Sequence, residues 1–208
     1  MDIGNIVFVL GVILLSMTLH EAMHAFMSYW LGDDTAKHQG RLTLNPIKHI
    51  DPFLTIILPV FLAIADGPVF GGAKPVPFRP DRVKYGEWGA ALVAVAGPIT
   101  NLLIAFVLYG VLVLSGGTES AAYQPLTIAI LVNLGFFVFN MLPIPPLDGS
   151  RVIYALAPDF IRRGMEVVEA YGIMLVFAFV LLAGPFLGQA IGAGVDGILN
   201  AFELLFRV

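Results

Sequence analysis

Two histidines and a glutamate near the end of the first apolar run have the types and spacing to bind a metal ion. His20, Glu21 and His24 form an HExxH pattern within LHEAMHAFM, residues 19–27. Positions i and i+4 of a helix lie on one face, so both imidazoles can reach one ion. Glu21 lies about 100° round the helix from His20. This is beside the ion, where a general base for a metal-bound water belongs.

The third ligand of such a site is expected in a proline-rich interruption of a later apolar run. Catalytic zinc takes three protein ligands, and a chain without cysteine must supply His, Asp or Glu. Three prolines in FNMLPIPPLDGSRV, residues 139–152, must break a helix, and Asp148 follows them. Broken backbone at membrane depth is buried in protein or lines a wet cavity, and an intramembrane carboxylate is usually functional. Asp148 could instead only cap the helix that restarts at Gly149.

The composition is typical of a polytopic membrane protein. Of the 208 residues, 58% are hydrophobic and 12% are charged, and the charged fraction is about half that of a soluble domain. Long apolar runs account for the excess of hydrophobic residues. The net charge of -4 gives no basic surface for nucleic acid, so the expected surroundings are a lipid bilayer.

The apolar runs predict an all-α polytopic protein with about five to six transmembrane helices. Spans are expected over residues 3–31, 88–114, 125–156 and 170–206. The last run is long enough for two helices hinged at Gly184-Pro185. A short apolar run at 52–66 and a Gly/Pro-rich stretch at 69–88 predict a re-entrant or hairpin segment around residues 52–87. Residues 1–208 are interpreted as a single integral-membrane domain.

Basic residues predict the orientation of the chain in a cell membrane. Lys and Arg occur in loops 31–51 and 69–88 and in the loop that follows residue 156, whereas residues 115–124 contain none. The positive-inside rule therefore puts the basic loops in the cytoplasm and the N-terminus outside. His24 and Asp148 are then each about 12 Å from the cytoplasmic side. Asp2 stands where a signal peptide would be basic, so the first run is interpreted as a retained span.

These motifs resemble the site-2 protease family of intramembrane zinc metalloproteases, peptidase family M50. The motifs that carry the resemblance are HExxH at 20–24, AGPITN at 96–101 and NMLPIPPLDG at 140–149. GRLTLNPIKHIDP at 40–52 and AKPVP at 73–77 are similar to the compact bacterial and archaeal branch. The expected form has no span before the HExxH helix and no appended PDZ or CBS domain.

The resemblance implies specific roles for the polar residues of the spans. His20, His24 and Asp148 would bind one zinc ion per chain, and Glu21 would be the catalytic base. Asn101 and Asn140 match motif asparagines, which implies contacts with the substrate backbone or the oxyanion. Both asparagines could instead only form hydrogen bonds between packed helices, and the two histidines could be an interface pair without metal.

The resulting hypothesis is an endopeptidase that cleaves transmembrane protein substrates near the cytoplasmic face, in regulated intramembrane proteolysis. A substrate helix must unwind first, and an extended edge within residues 69–87 could hold it by strand addition. The alternative is a non-proteolytic membrane zinc carrier or sensor, for which Glu21 would be dispensable. A protease-like assembly partner is a third possibility. The sequence does not give the substrate or the oligomeric state.

Polar residues outside the spans leave further alternatives open. His38 and His49 lie in the first loop with three aspartates. They could form a second metal site, although a solvated loop or a structural contact is the simpler interpretation. Lys74 could contact a substrate or only reach the lipid headgroups with its ammonium group.

Overall fold

The computed structural model of the chain describes residues 3–57, 61 and 72–206. Within these ranges the longer helices are α1 (Ile3–Trp30), α2 (Glu87–Leu114), α3 (Tyr123–Asn140), α4 (Asp148–Leu156), α5 (Asp159–Ala170) and α6 (Gly172–Phe206). Single helical turns occur at Thr35–His38, Pro46–Lys48, Pro52–Ile57, Pro80–Arg82 and Gly117–Glu119. The described residues contain no β-strand.

Four of the helices are long and apolar enough to cross a bilayer. The candidate spans are Ile3–Trp30, Glu87–Leu114, Tyr123–Asn140 and Met174–Phe206. This confirms the prediction of an all-α polytopic membrane protein. The count of five to six spans stays a prediction, because residues 58–60 and 62–71 lie outside the described residues.

Helix α2 is the centre of the bundle, where it packs against α1, α3 and α4. Its buried face near the site is built from small residues, Gly89, Ala90, Ala94 and Gly97. Small side chains let helix backbones approach closely in a membrane, where apolar burial alone gives little preference for one partner. Further along, α2 and α3 form a larger apolar core with Val195 and Phe202 of α6.

The predicted break in the run 125–156 is present, and it separates α3 from α4. Helix α3 ends at Asn140 and α4 begins at Asp148. Proline has no N–H to donate and clashes with the preceding turn of a helix, so the three prolines between them stop α3. The break leaves Asp148 in the first turn of a new helix.

The last apolar run differs from its prediction. Helix α6 is continuous from Gly172 to Phe206 with Pro185 inside it, so the hinge predicted at Gly184-Pro185 is wrong. A single proline removes one backbone hydrogen bond, and the remaining bonds of an apolar helix have no water to replace them. The helix therefore continues past the proline.

Helix α5 was not predicted, because its composition is amphipathic rather than apolar. Glu166 and Glu169 contact Tyr154 and Arg151 of α4. The opposite face carries apolar side chains such as Phe160, which is exposed. A 3.6-residue periodicity in residues 159–170, rather than mean hydropathy, is the signal that identifies this helix.

The two described ends of the predicted hairpin segment lie against each other. The Gly72 N–H donates to the Leu54 carbonyl at 3.1 Å, and the Thr55 hydroxyl donates to the Gly72 carbonyl at 2.7 Å. The chain that leaves after Thr55 therefore returns to the same place, as a re-entrant or hairpin segment requires. Its middle lies outside the described residues.

Candidate metal centre

The structure brings His20 and His24 of α1 together with Asp148 of α4. The Asp148 Oδ2 atom lies 3.2 Å from His20 Nε2 and 3.5 Å from His24 Nε2. Both histidines are buried. One turn of helix separates the imidazoles, and the break before α4 supplies the carboxylate, so residues 124 positions apart in sequence face one another.

Gly149 explains how Asp148 can approach the end of α3. A Cβ atom at position 149 would lie 2.3 Å from the Met141 carbonyl oxygen. A real Cβ cannot come that close to backbone, so α4 could not start here with any larger residue. The Asp-Gly pair therefore combines a candidate ligand with the residue that lets its helix begin beside α3.

The imidazole rings are oriented by oxygen atoms of α2. Asn101 Oδ1 lies 2.6 Å from His20 Nδ1, and the Val93 carbonyl oxygen lies 2.8 Å from His24 Nδ1. An oxygen that can only accept here requires a proton on each Nδ1. Each Nε2 then keeps its lone pair for a ligand, as in metal sites whose histidines are fixed by an outer partner.

Helix α2 also leaves room in front of the two Nε2 atoms. A Cβ at Gly97 would lie 2.5 Å from His24 Nε2 and 2.7 Å from His20 Nε2. A glycine at this position keeps the histidine edges free of side-chain atoms while the helices remain in contact. The space at the centre of the candidate site thus depends on a residue that has no functional group.

The donor set and its spacing fit a zinc ion. Two imidazoles and one carboxylate form a common ligand set of catalytic zinc. Zinc bonds of about 2.0–2.1 Å in a tetrahedron put neighbouring ligand atoms about 3.3 Å apart, close to the 3.2 and 3.5 Å found here. His20, His24 and Asp148 could therefore hold the ion and leave a fourth position open.

Glu21 also lies close enough to the two histidines to be considered as the third metal ligand. Ligand atoms of His20, Glu21 and His24 lie within 4.8 Å of one another. However, Glu21 Oε2 accepts a hydrogen bond from the Val76 N–H at 3.1 Å, and Asp148 lies nearer to both imidazoles. The arrangement favours Asp148 as ligand and Glu21 as a neighbouring carboxylate.

Asn101 lies behind the candidate site within a buried chain of carboxamides. Its Nδ2 donates to Asn133 Oδ1 at 2.9 Å and to the Ser16 carbonyl at 3.4 Å. Asn133 Nδ2 in turn donates to the Ala129 carbonyl at 2.9 Å. Asn101 is fully buried, and these contacts favour orientation of His20 over contact with a substrate.

Asn140 lies apart from this chain of carboxamides, at the end of α3. Its Nδ2 donates to the Phe136 carbonyl of the same helix at 3.0 Å. Asn133, two helical turns earlier, was missed by the sequence analysis. Its polar side chain in an otherwise apolar run is a signal that could have identified it.

His49 makes structural contacts rather than forming a second metal site. It is almost fully buried, between Thr43 and Arg41. His38 instead pairs with Asp34 on the surface. Within the described residues, neither His38 nor His49 belongs to a group of three ligand side chains close enough to hold a metal.

Comparison with known proteins gives consistent matches. The model of Peptidase family M50 matches residues 115–184. "Putative zinc metalloprotease YwhC" of Bacillus subtilis is 42% identical over 205 residues, which cover 94% of this chain and 90% of that protein. "Putative zinc metalloprotease Rip2" of Mycolicibacterium smegmatis is 31% identical over 200 residues, covering 90% and 71%. No solved structure gives a significant match.

Proposed function

The chain belongs to peptidase family M50, the site-2 protease family of zinc metalloproteases, and from this premise we propose that it cleaves transmembrane proteins within the bilayer. The observation that carries the proposal is the meeting of His20, His24 and Asp148 among helices long and apolar enough to span a membrane. A hydrolytic site at this depth is useful only if the substrate is there too. Cleavage near the cytoplasmic face, as a step of regulated proteolysis, is the form proposed.

Three residues of the chain are proposed to hold one zinc ion. His20 and His24 would bind through Nε2, and Asp148 would bind through a carboxylate oxygen. When bound, zinc supplies a Lewis acid that polarises a peptide carbonyl and makes water more acidic. Asn101 and the Val93 carbonyl keep the two rings aimed at the ion through their Nδ1 hydrogen bonds.

Glu21 is proposed to move the proton. Its Oε2 accepts the Val76 N–H, which fixes the carboxylate and leaves Oε1 as the oxygen for the proton of the attacking water. Glu21 then delivers this proton to the amine that leaves from the cut peptide bond. Because this hydrogen bond already restricts the Glu21 carboxylate, the side chain has little conformational freedom left to lose when the reaction begins.

Residues 72–79, which form neither helix nor strand, are proposed to hold the unwound substrate by strand addition. The segment passes Glu21 at Val76, so a substrate strand aligned with it would present its backbone to the base. Asn140, with its Oδ1 left to accept, is proposed to contact the substrate backbone. Asn101 was also expected to contact substrate, but orientation of His20 is the role we now propose for it.

A comparison of three proteins tests the proposal. Wild type, Glu21→Gln and Asp148→Ala are purified, their zinc content is measured, and each is reconstituted in lipid vesicles with a pool of dye-labelled single-span peptides. We expect about one zinc per wild-type chain and peptide fragments from the wild type. Glu21→Gln should keep zinc and lose cleavage, whereas Asp148→Ala should lose zinc.

Three outcomes would contradict the proposal. Fragments from Glu21→Gln at the wild-type rate would remove Glu21 as base. A zinc-loaded wild type that cuts no member of the pool would favour the zinc carrier or sensor. Full zinc retention in Asp148→Ala would move the third ligand to another residue.

A further inference from the structure

Arg41 is a buried guanidinium with an unusual set of partners. Only 4% of the residue is exposed. Its NH1 donates to the Pro75 carbonyl at 3.2 Å, and its NH2 donates to the Lys74 carbonyl at 2.5 Å. Among the described residues it forms no ion pair within 4.0 Å, and its Nε–H has no partner. Burial of a charge is costly, so two carbonyls of one short segment provide most of its compensation.

His49 adds further hydrogen bonds to Arg41 and to the same segment. Its Nε2–H donates to the Thr43 carbonyl at 2.8 Å, which leaves Nδ1 as an acceptor 3.3 Å from Arg41 NH2. The His49 carbonyl accepts the Lys74 N–H at 2.9 Å. Both backbone groups of Lys74 are therefore held by residues of the first loop.

The residue that follows these anchors contacts the proposed catalytic base. The Val76 N–H donates to Glu21 Oε2 at 3.1 Å. Val76 lies between Pro75 and Pro77, whose rings fix their own φ angles and stiffen the segment. The position of this N–H is consequently determined by the carbonyls one and two residues earlier, which Arg41 holds.

The far end of the segment has its own anchor. The Arg79 N–H donates to Asp33 Oδ2 at 2.6 Å, and Asp33 is fully buried. Burial lowers the pKa of the Arg41 guanidinium, and attraction to the Glu21 carboxylate opposes that lowering. The segment is thus held at both ends, with the base against its middle.

We propose that Arg41, supported by His49, is a positioning residue that sets the Val76 N–H against Glu21 through the carbonyls of Lys74 and Pro75. The inference rests on the proposed role of Glu21 as base. Arg41 lies outside the proposed zinc ligands, so its loss should affect the proton-transfer step and not metal binding. A lysine cannot replace it, because one ammonium does not reproduce the planar fork that spans two carbonyls.

The test combines kinetics with amide exchange in the vesicle-reconstituted protein. Arg41→Lys and Val76→Pro should each lower kcat for the dye-labelled single-span peptides about tenfold, with wild-type zinc content. Val76→Pro removes the N–H that Glu21 accepts, and its kcat is compared with that of Val76→Ala, which keeps this N–H. Arg82→Lys is the second control, because Arg82 pairs with Asp34 on the surface.

The double variant separates positioning from general destabilisation. If Arg41 acts through the Val76 N–H, the Arg41→Lys and Val76→Pro variants should not have additive effects on kcat. Hydrogen exchange over residues 72–79 should also accelerate in Arg41→Lys but not in Arg82→Lys. Pro75 and Pro77 have no amide N–H, and Lys74, Val76 and Arg79 supply three amides that have the partners named above.

The outcomes distinguish this inference from the proposed function. Additive losses in the double variant, or unchanged exchange and kcat in Arg41→Lys, would overturn the inference. Zinc loss in Arg41→Lys would overturn it too, since Arg41 would then act on the metal site. Cleavage that persists in Glu21→Gln would instead overturn the proposed role of the base.

Discussion

Gly97 of α2 faces His24 of α1 so closely that a Cβ at position 97 would lie 2.5 Å from His24 Nε2. The same Cβ would lie 2.7 Å from His20 Nε2. No bond joins Gly97 to either ring, yet its missing side chain keeps both nitrogens accessible. The contact links the packing of the two helices directly to the space in which a metal ion would lie.

Gly97→Ala should therefore abolish zinc binding. The added methyl must push α2 away from α1 or displace both imidazoles, and either movement separates them from Asp148. We expect zinc content in the purified protein to fall to background, with cleavage lost in parallel. Gly135→Ala on α3 is the control, because a Cβ there meets no atom within 4 Å. Wild-type zinc content in Gly97→Ala would show that the site tolerates the shift.

Asn101→Ala should weaken zinc binding about 10- to 100-fold. The variant removes the oxygen 2.6 Å from His20 Nδ1, so the ring loses its fixed tautomer and orientation. Competition with a chelator measures the change in zinc affinity. Thr100→Val is the control, since the Thr100 hydroxyl only donates to the Ala96 carbonyl of its own helix. A fall in kcat with unchanged zinc affinity would favour the substrate or oxyanion contact instead.

The contact of His20 and His24 with Asp148 is the part of the candidate site that could be predicted from the sequence. His20, His24 and Asp148 are costly in an apolar run unless they meet, and the proline break shows where a carboxylate can leave the helical register. The amphipathic helix α5 is not predicted by mean hydropathy, because its polar and apolar residues average out. The continuity of α6 past Pro185 depends on an environment that the residue type alone does not describe.

Other parts of the site could not be predicted because they depend on backbone atoms or on long-range contacts. The Val93 carbonyl and the Val76 N–H could belong to almost any residue type, so no side chain marks them. The importance of Gly97 depends on the close approach of helices α1 and α2, which is a long-range contact. Arg41 meets Lys74 and Pro75 only because the chain returns past the first loop, and its sequence neighbours give no sign of this contact.

Asp33 should give the protein a stability component that is lost in acid. Burial opposes ionisation of Asp33, but hydrogen bonds from Thr35, the Arg79 N–H and Ser28 outweigh it and hold its pKa below the ordinary value. A carboxylate with a lowered folded-state pKa stabilises the protein fully above its unfolded value of about 3.9. This stabilisation disappears as pH falls through the folded-state pKa.

The comparison of wild type with Asp33→Asn measures this component. At neutral pH we expect the variant to be less stable by about 2 kcal/mol, because the asparagine carboxamide keeps one acceptor oxygen where the Asp33 carboxylate has two. The difference between the two unfolding midpoints should shrink as pH falls below the unfolded carboxyl value of about 3.9. Asp81→Asn is the control, since Asp81 forms only a surface ion pair with Arg79 and such pairs contribute little. A difference independent of pH would rule out the charge of Asp33 as its source.

The free edge of residues 72–79 gives the sharpest test of strand addition. Between Gly72 and Pro77, the N–H groups of Lys74 and Val76 already donate to His49 and Glu21. Pro75 and Pro77 have no N–H. Ala73 is therefore the residue expected to donate to a substrate strand near Glu21, and Ala73→Pro removes that donor without touching the proposed zinc ligands.

Ala73→Pro should raise KM for the single-span peptides about fivefold, the effect of one lost hydrogen bond of roughly 1 kcal/mol, while zinc content stays at the wild-type level. Ala73→Val, which keeps the N–H and favours an extended backbone, is the matched control and should leave KM near the wild-type value. Equal KM values for Ala73→Pro and Ala73→Val would exclude pairing at this edge. Other contacts would then have to hold the substrate unwound. Asn140 is the first candidate, because its Nδ2 donates within its own helix and its Oδ1 is left to accept a substrate N–H.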